Sequence, residues 1–383
     1  MYQTGCRHFS GYRPCTKNSN CNSQCPSLDI PLTYILFVHL GPIHSVLRAT
    51  ALFPLVKQKY PKSHITVVTD FPLVLDNNPY IDRLLSSHED DLIFLNPLEF
   101  DIGLILDKNI LASSVIERAK KVDFLYGFKS NENGAIVPAN PSAFELWELS
   151  LNSDLKNETI NLKSLMHLQA KSLNLEFNEN YSFTPSLVLR DVENQVSELR
   201  KMIWSQRGIK NIIGLYTSKI ELFELKEILL SLKSYHQISN FSVVLIGTNE
   251  DEINHQILSQ EFDCVHVSPL GEGLRSVMST INACDFIFGV DYLGLQIAIA
   301  CKKNIVCLSK NNFNYEFNFY KKIFLYSEKN YNSQVWDNYL KTDPKNNSPE
   351  IESLNQSKYD INCESNQNEI ENDWFESIND LIM

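Results

Sequence analysis

No apolar run among the 383 residues comes near the ~20 that a membrane span requires. The opening residues, MYQTGCRHFSGYRPC, also lack the apolar centre of a secretory signal, so the expected compartment is the cytoplasm. Basic stripes and aromatic-plus-basic motifs are missing as well, which argues against a nucleic-acid partner. The chain has no short-period repeat, and its leader has no paired C-x-x-C of the common zinc type. The net charge of −12 is unevenly spread: residues 341–383 hold ten Asp/Glu against three Lys, −7 in all, which leaves about −5 for the remainder.

What the chain does have is a hydrophobic content of 43% and enough length for two domains with tails. Four segments divide it: a Cys-rich leader over 1–31, a first α/β domain over 32–188, a second over 189–327, and an acidic tail over 328–383. In the first domain, apolar runs predict strands near 34–39, 64–69, 101–106 and 123–128, with helices at 44–59, 109–120, 143–150 and 157–173. A helix over 191–206 is expected to bridge the domains. Strand and helix then alternate from Asn211 to about Ser309, the pattern of a second parallel sheet. The tail is too poor in aliphatic residues to order itself, although Trp374, Phe375, Ile378, Leu381 and Ile382 could form one short docking turn.

The most informative stretch is Tyr34 to Tyr60, YILFVHLGPIHSVLRATALFPLVKQKY. Its strand Ile35–Val38 breaks at Gly41-Pro42 and passes into a helix. Ligands of open α/β sheets bind beyond the carboxyl ends of strands, so His39, His44, Ser45 and Arg48 are placed at a cleft. Cysteines fall into two groups. Cys264, Cys284, Cys301 and Cys307 lie in apolar elements and read as core. Cys6, Cys15, Cys21 and Cys25, spaced C-x8-C-x5-C-x3-C in a polar segment, suggest a structural zinc or iron site with His8 as an alternate ligand; free thiols are the other reading.

Several segments, in order, resemble glycosyltransferase family 9, the ADP-heptose:lipopolysaccharide heptosyltransferases. LFVHLGPIHSVLRATALFPLVKQKYP is similar to the family's opening strand, LG-x-x-G-D turn and helix. DNNPYIDRLL and FDIGLILDK resemble its next segments, VVLIGTNEDEIN its donor-nucleoside turn, and VDYLGLQIAIACKKNIVCL its late GD signature. The likeness runs from about residue 33 to 326, and HFSGYRPC is similar to a preamble found in some members. It implies two Rossmann-like domains of GT-B type facing a central cleft. It also implies an inverting, metal-independent transfer from an ADP-heptose-like nucleotide sugar to a lipopolysaccharide-like or other glycan acceptor, with peripheral contact at the inner membrane.

The resemblance assigns site residues position by position. The family's catalytic Asp is Ser45 here, and His44 stands before it as a substitute base. Gly41, in the turn, is expected to help hold the nucleotide-sugar donor, and Arg48, expected on the exposed helix face, would meet an anionic acceptor. Thr217, Ser218 and Lys219 stand where the donor diphosphate is held, although a surface role suits Lys219 equally. Glu250 falls at the ribose contact or serves as a first-turn helix acid. Asp291 matches the signature Asp or caps a helix. Gln296 replaces the signature His, and Leu308-Ser309-Lys310-Asn311 replaces a phosphate loop. These departures keep a second function open, that of a catalytically impaired homologue binding sugar nucleotide, glycan or protein.

Overall fold

A computed structural model describes residues 2–9, 11, 15, 17–152, 164–178, 181–205, 209, 211–234, 241–290, 292–308, 320 and 323–325. The expected acidic tail, its terminal docking turn and Asp291 lie outside these residues. Chain contacts separate two units, Met1–Val188 and Leu189–Met383.

The first unit is built on β1 (Thr33–Val38), β2 (Ser63–Thr69), β3 (Arg83–Ser86), β4 (Glu99–Ile105), β5 (Lys121–Ser130) and β6 (Ile136–Pro138), in sheet order β3-β2-β1-β4-β5-β6. All neighbours are parallel except the β5–β6 edge. Central β1 is sealed on both faces, with Ile35 to Val38 no more than 1% exposed, and this explains its unbroken apolar run. Chain order reverses between β1 and β4, so their carboxyl ends form the switch point where such sheets leave a crevice.

The single helix expected over 44–59 is two. Ile43–Ala49 and Phe53–Lys59 are joined by a tight turn at Thr50–Leu52. Pro54 explains the break, because it has no N–H to donate one turn back. Thr50 Oγ1 completes the joint by donating to Leu47 O at 2.6 Å and accepting from Ser186 N at 2.7 Å. The helix expected at 109–120 is Ile110–Glu117, capped by Asn109, whose side chain accepts from Ala112 N. Of the helix expected over 157–173, Leu165–Ser172 is described; residues 153–163 are outside the described set.

The second unit repeats the plan. Strands β7 (Asn211–Tyr216), β8 (Phe241–Ile246), β9 (Val265–Val267), β10 (Phe286–Gly289), β11 (Asn304–Cys307) and β12 (Ile323–Leu325) form an all-parallel sheet of order β9-β8-β7-β10-β11-β12. Its switch point falls between β7 and β10. The helix Asp191–Trp204 belongs to this unit and packs on Leu274–Ala283. There Arg200 donates to Ser276 O and Thr280 Oγ1, and Arg275 pairs with Glu193. Cys284 and Cys307 are buried as expected of core thiols, whereas Cys264 and Cys301 are half-buried.

The leader is tied to the first sheet by charge. Arg7 pairs with Asp82 and with Asp29 (2.8 Å), and donates to Ser63 O at 3.0 Å. Asp82 also receives Lys57 Nζ at 3.1 Å and Ile65 N at 2.8 Å. Burial acts to raise its carboxyl pKa, but these donors outweigh it and hold it below the usual range. Beside this centre His64 lies buried, and desolvation, against the pull of Asp82, lowers its imidazole pKa to about 4.

Replacing Asp82 with Ala leaves the partly buried Lys57 without its carboxylate and Arg7 with Asp29 alone, costing roughly 1–2 kcal/mol in denaturant unfolding and opening the leader to limited proteolysis. His64 gives the first unit an acid-side slope. The unfolded ring takes a proton near pH 6.5 and the folded ring near 4, so the stability it confers is full above 6.5 and is lost as pH falls towards 4. The loss should reach up to about 3 kcal/mol, and His64→Phe should flatten this limb in urea melts compared at pH 7 and 5.

Candidate functional site

At the first switch point, the end of β1 lies beside the end of β4 in the register Val38↔Ile105. The next polar side chain on each strand therefore enters the same space: His39 after β1 and Asp107 after β4. His39 Nδ1 stands 2.9 Å from Asp107 Oδ1, and Leu40 N donates to Asp107 Oδ2 at 2.6 Å. On the other side of the ring, His39 Nε2 is 3.0 Å from Ser45 Oγ. Arg48 Nη2 makes a longer contact to the same hydroxyl at 3.4 Å. These four residues are each at most 9% exposed.

The donor inventory orients the chain. An ionised carboxylate only accepts, so in the neutral imidazole Nδ1 carries the proton towards Asp107 and Nε2 is left to accept from Ser45. Guanidinium has no acceptor, so Arg48 donates to Ser45 Oγ and directs the hydroxyl proton towards His39. Gly41 makes room for this arrangement. A Cβ there would fall 2.8 Å from His39 Cε1 and 3.0 Å from Asp107 Oδ1. The glycine expected to serve a ligand thus has a packing duty in the site.

Among the sequence-derived candidates, Ser45 lies inside this chain and His44, half-buried, stands next to it. Arg48 corrects an expectation: it is buried at 4% exposure because it turns inward to Ser45 and does not lie on an exposed helix face. His39 was recognisable as a polar residue of the turn, but its tie to Asp107 was not. The signal was the first polar residue after each apolar strand, VHL and ILDK.

A second polar centre follows β7 and β8. Thr217 is fully buried; its Oγ1 is 2.7 Å from His255 Nε2 and 3.2 Å from Ile246 O. Ser218 Oγ donates to Asp251 Oδ2 at 2.8 Å, as does Thr248 N. Desolvation lowers the His255 imidazole pKa despite nearby Asp251, which favours a neutral ring. Gly247 does here what Gly41 does in the first unit, since a Cβ would fall 2.5 Å from Asp251 Oδ2 and 2.6 Å from Thr217 Oγ1. Lys219 is exposed and occupies the left-handed region at φ 67°, which costs a non-glycine residue of order 1 kcal/mol and fixes the turn after Ser218. Glu250 is exposed in the short turn Asn249–Asp251 and Glu252 is exposed in the next helix, while Asp251 between them is the buried acceptor. Gln296 is completely buried, and neither amide atom has a hydrogen-bond partner among the described residues.

In the leader, Cys6, Cys15, Cys21 and Cys25 line one hollow with His8 and Asn18, and Asn18 Nδ2 is 3.3 Å from Cys25 Sγ. Among the described residues, no three His, Cys, Asp or Glu side chains form a group ready to hold an ion. Nor is any helix among them long and apolar enough to cross a membrane.

No protein-family model matches the sequence, and no curated protein does. Solved structures do resemble it. A family 9 glycosyltransferase from Veillonella parvula superposes with a TM-score of 0.58 at 14% identity, over 78% of this chain and 88% of that one. The ADP-heptose lipopolysaccharide heptosyltransferase II of E. coli gives 0.53 at 14% identity, over 78% and 92%. The E. coli heptosyltransferase WaaC with ADP-2-deoxy-2-fluoro heptose gives 0.51 at 12% identity, over 80% and 98%. At such identities the likeness is one of fold: this chain carries two parallel α/β units of the GT-B type found in these transferases.

Proposed function

We propose that the protein is a glycosyltransferase that moves a sugar of the heptose class from a nucleotide sugar, ADP-linked by preference, to a lipopolysaccharide-like or other cell-envelope acceptor with inversion at the anomeric carbon. The observation that carries this reading is the buried polar chain at the β1/β4 switch point, ending on Ser45, the position where the family resemblance expects the base. Direct displacement at a sugar carbon needs a proton acceptor for the incoming hydroxyl and positive or N–H groups for the departing diphosphate. In this reading Ser45 and His44 face the acceptor and Arg48 supplies positive charge at Ser45. Thr217, Ser218, Lys219 and Asp291 attend the donor diphosphate, with Glu250 and Gln296 towards its nucleoside and sugar.

Gln296 favours a second reading, an impaired homologue that binds a sugar nucleotide without turning it over. An amide in place of the signature His keeps hydrogen bonding but brings no cation to the donor. The leader adds a separate proposal: Cys6, Cys15, Cys21 and Cys25, which line one hollow, are the residues that would hold zinc or iron as thiolates.

Calorimetry with ADP-heptose and with UDP- and GDP-sugars separates these readings. Binding of the ADP donor followed by transfer supports the enzyme, binding alone supports the impaired homologue, and no binding at millimolar concentration removes both. Lys219→Ala should weaken donor binding about tenfold if the ammonium meets the diphosphate. Elemental analysis of protein purified without chelator should find about one zinc or iron per chain if the leader is a metal site. A metal-free, fully folded protein would end that proposal.

A further inference from the structure

The structure assigns to Ser45, His39 and Asp107 a proton relay that does the work of the missing carboxylate. This rests on the transfer reading above and names its base. Serine alone cannot take a proton from a sugar hydroxyl at neutral pH, because its own conjugate acid is far too strong. A serine hydrogen-bonded to a basic imidazole nitrogen can pass one on.

The geometry supplies each part. Ser45 Oγ lies 3.0 Å from His39 Nε2, and His39 Nδ1 lies 2.9 Å from Asp107 Oδ1, so the three groups form one continuous chain. Asp107 is fixed independently of the ring by Leu40 N at 2.6 Å, so its carboxylate is oriented before His39 is protonated. Arg48 contacts the serine oxygen and favours negative charge there. Burial of all four strengthens these interactions relative to water.

The step balances as follows. The acceptor hydroxyl gives its proton to Ser45 Oγ while the Ser45 proton moves to His39 Nε2. The acceptor oxygen forms its bond to the anomeric carbon as the bond from that carbon to the diphosphate oxygen breaks. The electron pair departs with the nucleoside diphosphate, and the His39 imidazolium, held by the Asp107 carboxylate, later returns its proton to solvent. Ser45 is the residue that touches substrate, His39 is the terminal acceptor, and Asp107 is a positioning residue that keeps Nε2 free of hydrogen.

Two measurements test this. In steady-state transfer assays, His39→Gln and Asp107→Asn should each lower kcat by about 10²–10⁴-fold with KM for the donor nearly unchanged. Ser45→Asp, placed in the His39→Gln background, should recover at least about tenfold of that loss, because a carboxylate at position 45 no longer needs the ring. A merely structural His39 would not be rescued in this way. Unchanged kcat in His39→Gln, or no rescue from a folded double variant, overturns the relay. The second measurement needs neither turnover nor a variant: nitrogen NMR of 15N-histidine-labelled wild-type protein should show His39 protonated at Nδ1 and bare at Nε2. A proton on Nε2 in the neutral ring overturns the relay even if the variants fail to fold. A wild type that transfers from no nucleotide sugar, yet shows the bare Nε2, overturns the transfer function and leaves the hydrogen-bonded chain standing.

Discussion

The parallel pairing of β1 with β4 governs the chemistry of the first unit. It brings His39 and Asp107 within hydrogen-bonding distance although 68 residues separate them in sequence. Neither residue has a local reason to sit where it does. The strands are held by apolar burial on both faces, and the polar side chains that follow them take their position from that packing. A doubly wound sheet is suited to this because its reversal of order leaves two strand ends without a covering crossover. The polar chain is thus carried by the buried centre of the sheet.

The second unit solves the same problem with other residues. Where the first has His39 and Asp107 opposite Gly41, the second has Thr217 and Asp251 opposite Gly247. In both, a glycine just past a strand gives up its side chain so that polar groups from two elements can meet. The units differ in what is left to act. The first ends in a hydroxyl bonded to an imidazole, and the second in a braced turn with Lys219 held at an unfavourable backbone angle.

Much of the architecture was legible from apolar runs: β1, β2, β4 and β5, and the regular alternation beyond Asn211, fall close to their expected places. Strands β3 and β6 were not, since each is short and only partly buried and so lacks a clear period. Pro54 marked the break in the long helix, but an apolar stripe continuing past it hid the signal. At the site, Ser45 was legible because a motif position pointed to it. The burial of Arg48 was not, because a lone Arg on a helix gives no sign of which way it turns. Asp107 and Asp251 were harder to see for a further reason: a polar residue after a strand and a Thr-x-x-Asp spacing mark their places, but their bonds to His39 and Ser218 come from other strands and turns.

Arg7 finds its main partner 75 residues along the chain. That separation dictates an order of assembly. Asp82 is placed only once β2 has formed, since it is held through Ile65 N and Lys57, so the leader has nothing to grip until the core of the first unit exists. Closing so wide a loop costs entropy that later contacts must repay. On this account the leader seats after the sheet it grips. Its four thiols therefore sit on a segment held to the sheet through Asp82 and Ser63, at the opposite end of β2 from the strand ends that carry the polar chain.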